Sequence, residues 1–300
     1  MISMTEYLES IYTDLKNEID KGKCLCELKG LTFESDCIPN YNSIQIQRLY
    51  LLRYAFAYGF EYSHIYSEVL EKLHNPNHIS VASIGCGAFL DYWSLIQAIE
   101  EKKKINCTVR YIGMDKANWN YKIGKREQDE LIFKEGNAIQ FFETNKEFIS
   151  DVYFFPKSIS EFNDSEIEVI VKNLKSKPMI KDKIIFCFSL RAYEDNRVKD
   201  MAKTQQIIRA LEENGYKQKN QNNVCWKFTE NKGISWYNNN YWYPSEAYDY
   251  VISLNEKCNK YIETGVNCKY SCEQYLNRKP TTKTGNIYYQ IIDLERENKE

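Results

Sequence analysis

The stretch from Ile79 to Trp93 constrains the fold of this chain more than any other. Residues 79–84 form an apolar, partly β-branched run that ends abruptly in Gly85-Cys86-Gly87, and an apolar pattern of helical period follows from Leu90. This order predicts a buried strand, a tight glycine turn and a helix, which together open a nucleotide-binding α/β fold. The glycines allow backbone angles that are costly for other residues, and they let a ligand approach the backbone closely.

Strand and helix patterns alternate after the glycine turn. Further strands are predicted at 108–114, 131–133, 151–155 and 183–190, and helices at 90–102, 164–174 and 198–214, with a short helix ending near Phe148. Later strands are predicted at 224–228 and 286–292. This alternation is typical of a doubly wound α/β fold with a mostly parallel sheet, whose ligands bind outside the carboxyl ends of the strands.

The first 75 residues are predicted to be mostly helical. A helix at 5–19 precedes an irregular segment, and a long apolar helix then runs from about 43 to 73. That helix carries a tyrosine at every fourth position: Tyr50, Tyr54, Tyr58, Tyr62 and Tyr66. The tyrosine strip either packs the helix onto the core or forms an aromatic wall for a substrate. Arg53 in the same apolar helix needs an anionic partner, for which Glu61 or a ligand carboxylate could serve.

Composition and charge exclude several classes of protein. The formal net charge of −2 gives no overall field that would draw the chain to nucleic acid or to an anionic membrane. No apolar run reaches the length of a membrane span. The first residues lack the basic region and apolar core of a signal peptide. We therefore expect a cytoplasmic protein with no membrane partner.

The ten cysteines are interpreted as free thiols. They include two loose groups, one of Cys24, Cys26 and Cys37 and one of Cys258, Cys268 and Cys272. Neither group has the Cys-x-x-Cys spacing of a structural zinc site, so no metal is expected.

The glycine turn departs from the dinucleotide-binding pattern. That pattern, Gly-x-Gly-x-x-Gly, has a third glycine where this chain has Leu90. Its acidic residue follows after roughly 20 residues, whereas Asp115 lies 28 residues beyond Gly87. Hydride transfer with a nicotinamide cofactor is therefore disfavoured.

From Ile79 to Leu190 the chain resembles the class I S-adenosylmethionine-dependent methyltransferases, in its glycine turn and in the order of its strands and helices. The resemblance implies a doubly wound, mostly parallel seven-stranded sheet and S-adenosylmethionine as the cofactor. Together with the pattern along the chain, it leads us to expect a helical N-terminal lobe over 1–76, a Rossmann-like cofactor-binding domain over 77–232, and an aromatic insertion with the final strand over 233–300. The lobe and the segment around Trp236 and Trp242 would then be lids over the carboxyl edge.

The resemblance also implies which residues bind the cofactor. Gly85, Cys86 and Gly87 would lie under its methionine part. Asp115, with Lys116 beside it, would hold the ribose hydroxyls. The remaining expected cofactor-binding residues are Asn137 and Ala138 at the adenine and Phe155 near the reacting methyl group.

Two positions depart from that family's pattern. Ser83 stands where the family usually has an acidic residue, and Phe89 stands in place of a third glycine. Asp91 is a carboxylate that could take over the contact with the amino group of the cofactor.

Methyl transfer is an in-line displacement, in which alignment supplies most of the catalysis. A general base is needed only when the nucleophile carries a proton. The catalytic candidates are Lys157, Glu161 and Arg191, with Tyr193 and Glu194 nearby; each could instead be a solvated loop charge. Lys157 and Arg191 would suit an anionic substrate.

The acceptor is left open by the sequence. A small molecule enclosed by the aromatic lobes is the first expectation. RNA is the alternative, since aromatic rings stack on bases and the helix beginning at Ile46 loosely resembles that of some fungal ribosomal RNA uridine methyltransferases. A non-catalytic cofactor-binding or interaction module is a third possibility, and aminopropyl transfer from the same cofactor is a minor one.

Overall fold

The computed structural model describes residues 1–21, 25–31, 39–191, 194–219, 225–228, 242–258, 273–282 and 286–297. The chain forms two compact units. The first, here called the helical unit, takes in Met1–Phe60, Asn118–Gly124 and Lys232–Thr284. The second, here called the sheet unit, takes in Glu61–Ala117, Lys125–Asn231 and Gly285–Glu300. The domain boundaries expected near residues 76 and 232 stay predictions.

The sheet unit is built on a single mixed sheet. Its strands are β1 His78–Ile84, β2 Thr108–Asp115, β3 Glu130–Glu135, β4 Val152–Pro156, β5 Lys183–Ser189, β6 Tyr216–Gln218, β7 Cys225–Phe228 and β8 Asn286–Arg296. The order across the sheet is β3-β2-β1-β4-β5-β8-β6, with β7 also paired to β8. Strands β1 to β5 are parallel, and β8 is antiparallel to β5. The predicted doubly wound, mostly parallel architecture is confirmed.

The seventh position of the sheet is shared by two short strands. Tyr289 of β8 pairs with Ser189 of β5 and with Cys225 of β7, so β7 lies on the edge of β8 that faces away from β5. Leu294 pairs with β5 and with Gln218 of β6 in the same way. The expected seven-stranded sheet is therefore present, with β6 and β7 following one another along its last edge. The sequence analysis did not predict β6.

Eight helices lie in the described residues: α1 Met4–Asp20, α2 Ile44–Lys72, α3 Leu90–Glu101, α4 Ala138–Thr144, α5 Asp164–Ser176, α6 Glu194–Glu213, α7 Ser245–Ile252 and α8 Glu273–Leu276. Helices α3, α4, α5 and α6 follow β1, β3, β4 and β5. Local signals set their ends: Asn163, for example, caps α5 in a capping box with Glu166. None of the helices in these ranges is both long and apolar enough to cross a membrane.

The predicted tyrosine strip of α2 is divided between the two units, because their boundary falls within this helix. In the helical unit, the ring of Tyr54 lies 5.2 Å from that of Tyr50 and 5.6 Å from that of Tyr58, and all three are half-buried. In the sheet unit, Tyr66 is fully buried and its ring lies 5.1 Å from that of Phe154. The strip is therefore core in the sheet unit and only half-buried in the helical unit.

Gly113 in β2 makes room for the residues that follow β1. A Cβ atom at this position would lie 2.7 Å from the Cys86 sulfur, 2.8 Å from the Phe89 ring and 2.9 Å from the Tyr111 ring. Separations this short are overlaps, so a side chain here would force its neighbours to move. The glycine in the middle of a strand thus has a packing reason.

Asp91 in α3 is fully buried in the sheet unit. Its carboxylate accepts hydrogen bonds from the hydroxyls of Tyr111 (2.7 Å) in β2 and Tyr66 (3.3 Å) in α2. Burial raises the pKa of Asp91 to about 6, although hydrogen bonds, that from Tyr111 foremost, oppose the rise. Burial also raises the pKa of both tyrosines well above the usual value, so both remain donors. The carboxylate joins three elements of the sheet unit.

We expect Gly113→Ala to lower the free energy of unfolding by about 1–3 kcal/mol, because the new methyl group overlaps Cys86 and Phe89. Urea denaturation measures the change. Gly124→Ala is the matched control, since nothing lies within 4 Å of a Cβ atom at that glycine. Equal stability of the two variants would contradict the assigned packing role of Gly113.

The raised pKa of Asp91 makes the stability of the protein depend on pH. The native state holds the Asp91 proton up to about pH 6, while the unfolded chain loses it near 3.8. The native state therefore binds more protons in this window, and its stability falls by roughly 3 kcal/mol as the pH rises from 4 to 7. Asp91→Asn should lack this component in urea titrations at the two pH values. Parallel stability changes in the two proteins would be evidence against it.

Candidate functional site

The candidate site lies at the carboxyl end of β1. From β1 the strand order proceeds to β2 and β3 on one side and to β4 and β5 on the other. Loops that leave neighbouring strands in opposite directions open a crevice, where ligands of open α/β sheets bind. The loops after β1 and β4 therefore border the candidate ligand-binding crevice.

The glycine turn has a left-handed backbone that is fastened to β2. Gly85 and Gly87 have φ angles of +78° and +55°. The N–H groups of Gly85 and Cys86 both donate to the carbonyl oxygen of Met114, at 2.8 and 3.0 Å. A Cβ atom at Gly85 would lie 2.5 Å from that of Ser158, in the loop after β4. Both the conformation and the close approach require glycine at position 85.

Phe89 takes the backbone conformation that a glycine would favour. Its φ angle is +64°, immediately before α3. A left-handed conformation costs a residue other than glycine about 1–3 kcal/mol. The Phe89 ring is 3% exposed and lies 5.6 Å from the Tyr111 ring and 5.8 Å from the Phe133 ring. The departure from the family's third glycine is thus accommodated by burial of this ring.

Asp115 at the end of β2 binds the glycine turn directly. One carboxylate oxygen accepts the Gly87 N–H and the other accepts the Ala117 N–H, each at 2.9 Å. The residue is half-buried. A carboxylate oxygen can accept two hydrogen bonds, so Asp115 can hold the turn and receive ligand hydroxyls together.

Glu161 places a second carboxyl group near Asp115. It ends a short 3-10 helix, Ile159–Glu161, in the loop after β4. Burial raises the pKa of Glu161 to about 7, and the charge of Asp115 adds to the rise, while Arg191 and Lys116 oppose it. The Arg191 guanidinium lies 4.0 Å from the Glu161 carboxylate. Glu161 therefore changes protonation state near neutral pH.

Lys157 forms an ion pair with the buried Glu61. Its ammonium group donates to the Glu61 carboxylate (2.7 Å) and to the carbonyl oxygen of Leu190 (3.0 Å). The Ser189 hydroxyl donates to the same Glu61 oxygen at 2.6 Å. Glu61 is 4% exposed, and Lys157 has a φ angle of +57°. The suggestion that Glu61 partners Arg53 is wrong, because Lys157 and Ser189 surround that carboxylate.

In the loop after β3, the polar side chain of Asn137 forms hydrogen bonds with protein groups. The Asn137 side-chain oxygen accepts the Ile139 N–H at 3.0 Å and so caps α4. Its amide nitrogen donates to Glu166 at 3.3 Å, and Lys116 lies 3.5 Å from the same carboxylate. Ala138 is 7% exposed. Glu166 links the loops after β2 and β3, a role that only the folded structure reveals.

Several expected site residues have buried side chains. Phe155 is fully buried, and its ring stacks on Phe188 at 4.9 Å. Ser83 and Asp91 are also fully buried, and Cys86 is 4% exposed. The structure therefore brings Asp115, Glu161, Arg191 and Lys116 together at the edge, and places these other side chains beneath it.

No group of three metal-binding side chains occurs within the described part of the chain. Cys26, Cys86, Cys107, Cys187 and Cys258 are free thiols. The other members of the two cysteine groups (Cys24, Cys37, Cys268 and Cys272) lie outside the described residues, as do Tyr193 and Trp236.

No protein-family model and no curated protein sequence matches the chain. Solved structures of similar fold include the plantazolicin methyltransferase BpumL in complex with a monoazolic desmethylPZN analog and SAH, at 13% identity and a TM-score of 0.41, covering 94% of this chain and 99% of that chain. Loganic acid methyltransferase with SAH is 10% identical with a TM-score of 0.40, covering 83% and 96%.

MNMC2 from Aquifex aeolicus is 16% identical with a TM-score of 0.36, and the similarity covers 50% of this chain and 51% of that chain. The chain therefore spans about half the length of this relative. What the site can do chemically follows from the residues of this chain, since similarities this weak do not identify a reaction.

Proposed function

We propose that this chain is an S-adenosylmethionine-dependent methyltransferase that binds its cofactor at the glycine turn and methylates a small molecule. The observation that carries the proposal is the negative charge at the turn. The Asp115 carboxylate bonds the turn itself, and Glu161 lies close enough for the charge of Asp115 to raise its pKa. Opposite charges attract more strongly in such a half-buried site than in bulk water, which favours the positive sulfonium of this cofactor.

The same charges disfavour a dinucleotide. A phosphate-binding turn presents its N–H groups to the anion. Here the Gly87 N–H donates to the Asp115 carboxylate at 2.9 Å, and a pyrophosphate would meet that carboxylate first. Like-charge repulsion therefore selects against nicotinamide dinucleotides.

The described residues fit the parts of the cofactor. Asp115 would accept the ribose hydroxyls, and the turn with its left-handed residues Gly85 and Gly87 would lie beneath the methionine part. Asn137 and Ala138 would border the adenine through the loop after β3. When bound, the cofactor supplies an electrophilic methyl group on a sulfonium.

The chain's own residues align the acceptor and receive its proton. We assign Glu161 as the proton acceptor, because a carboxyl with a pKa of about 7 is matched to neutral pH. Glu161 would receive the proton of the nucleophile as the bond from the acceptor to the methyl carbon replaces the sulfur–methyl bond, whose electron pair would remain on the sulfur. Arg191, 4.0 Å away, orients that carboxylate. Lys157 is a positioning residue, since its ion pair with Glu61 fixes the loop after β4.

A small acceptor fits this edge better than RNA does. Asp115 and Glu161 repel the phosphates of a polyanion, and the chain as a whole has a net charge of −2. The half-buried Glu161 and Arg191 can each contact a polar group of a small molecule. These charges support the small-molecule proposal.

We expect Asp115→Asn to weaken binding of S-adenosylmethionine about 10- to 100-fold, because the ribose loses a charged acceptor. Isothermal titration calorimetry measures the affinity. Glu130→Gln is the control, since Glu130 is an exposed carboxylate at the opposite end of β3 and should leave binding unchanged. An undiminished affinity in a folded Asp115→Asn variant would remove Asp115 from the cofactor site.

The charge of Glu161 can be tested through two ligands that differ in one charge. S-adenosylmethionine carries the sulfonium and S-adenosylhomocysteine does not. As Glu161 ionises above about pH 7, affinity for the first should rise relative to the second, by roughly tenfold between pH 6 and 8. Taking the ratio cancels the titration of the amino group that both ligands share.

In Glu161→Gln the affinity ratio should be the same at both pH values. A ratio that does not change with pH in the unmodified protein would contradict the proposed attraction between Glu161 and the sulfonium.

A further inference from the structure

Arg53 in α2 is a buried cation with unmet hydrogen-bonding capacity. It is 1% exposed within the helical unit. Its Nη2 donates to the carbonyl oxygens of Tyr275 (2.6 Å) and Leu276 (2.8 Å) in α8. Its Nε and Nη1 are buried and have no partner among the described residues. Those two nitrogens carry three N–H donors, and buried donors without acceptors are costly.

Among the described residues, the surroundings of Arg53 contain no compensating negative charge. Within the described residues no carboxylate pairs with it. Burial lowers the pKa of Arg53 to about 10; the charge of Arg278 adds to the decrease, while Tyr54 and Tyr243 oppose it. A buried charge without a counterion is destabilising. Among the described residues, nothing neutralises the charge of Arg53.

Arg48, on the same helix and in the same unit, provides a contrast. It is 5% exposed, its guanidinium lies 2.8 Å from the Glu18 carboxylate, and it donates to the Tyr121 hydroxyl at 2.5 Å. A buried arginine of α2 can therefore be given a carboxylate by the chain. Arg53 is not.

We propose that Arg53 binds an oxyanion, either a carboxylate or a phosphate group of a small ligand, within the helical unit. Arginine is the residue that best holds such groups, because its donors are fixed and its charge is permanent. The anion would accept from Nη1 and Nε and neutralise the Arg53 guanidinium. Arg278 is half-buried and so reaches solvent at the side of the site. The inference does not rest on the proposed methyl transfer.

A purely structural role is the competing explanation. Arg53 donates to two carbonyl oxygens at the end of α8, as cations often do at helix C-termini. That role uses Nη2 alone and predicts no response to anions. The two explanations therefore differ in a measurable way.

The experiment is thermal unfolding of the full chain in sodium acetate and in sodium phosphate, each balanced with sodium chloride to constant ionic strength. We expect a saturable rise in Tm with at least one anion, reaching about 3 °C at tenfold excess over its Kd. The stronger anion identifies a carboxylate or a phosphate ligand. Arg53→Met should lose the rise, whereas the control Arg48→Met should keep it from a lower starting Tm.

A second variant covers the case in which Arg53→Met does not fold. Arg53→Lys keeps the charge and the bonds to α8 but lacks the Nε donor, so anion affinity should fall at least tenfold. A Tm that responds only as it does to chloride overturns the proposal, as does an unchanged anion-dependent rise in either Arg53 variant. Binding of S-adenosylmethionine, measured in parallel, reports separately on the proposed function.

Discussion

The arrangement of the carboxyl edge depends on the hydrogen bond from the Gly87 N–H to the Asp115 carboxylate. This bond closes the loop after β1 onto the end of β2, where the Met114 carbonyl already accepts from two other amides of the turn. It fixes left-handed residues that would otherwise have other conformations available. The same carboxylate also sets the electrostatics of the edge, because its charge helps to raise the pKa of Glu161. One side chain therefore determines both the shape of the turn and the sign of its field.

Most of the fold could be predicted because its signals are local. The central parallel strands β1, β4 and β5 are apolar runs buried along almost their whole length, and the helices between the strands carry caps such as Asn163. The strand β6 escaped prediction for a physical reason. It has only three residues, and its pairing with β8, nearly eighty residues later, defines it more than its own composition does.

Residues of the candidate site could be predicted from the sequence only where a local signal, such as a glycine turn or the end of a strand, marks them. The glycine turn belongs to this class. Asp115 was located from the end of β2, but its bond to the Gly87 N–H joins residues 28 positions apart. Glu61 and Glu166 do not belong to this class, because long-range packing brings them to the loops after β4 and β3. Lys157 illustrates the converse. Its position in the loop after β4 was predicted, but its ion pair with Glu61 was not. That pair depends on the packing of α2 near β4, which no local sequence pattern indicates. The sequence pattern indicates which strand, helix or loop carries a residue, and tertiary packing determines which groups its side chain contacts.

The ion pair between Lys157 and Glu61 has a consequence for how this chain can diverge. The two residues are 96 positions apart in the sequence; Glu61 is buried, Lys157 is half-buried, and each is the counterion of the other. Replacing Lys157 alone leaves the buried Glu61 carboxylate without its counterion, which costs about 3–5 kcal/mol. Replacing both with apolar residues of similar volume avoids that cost. Among homologues the two positions should therefore covary, either as a charged pair or as an apolar pair, and mixed combinations should be rare.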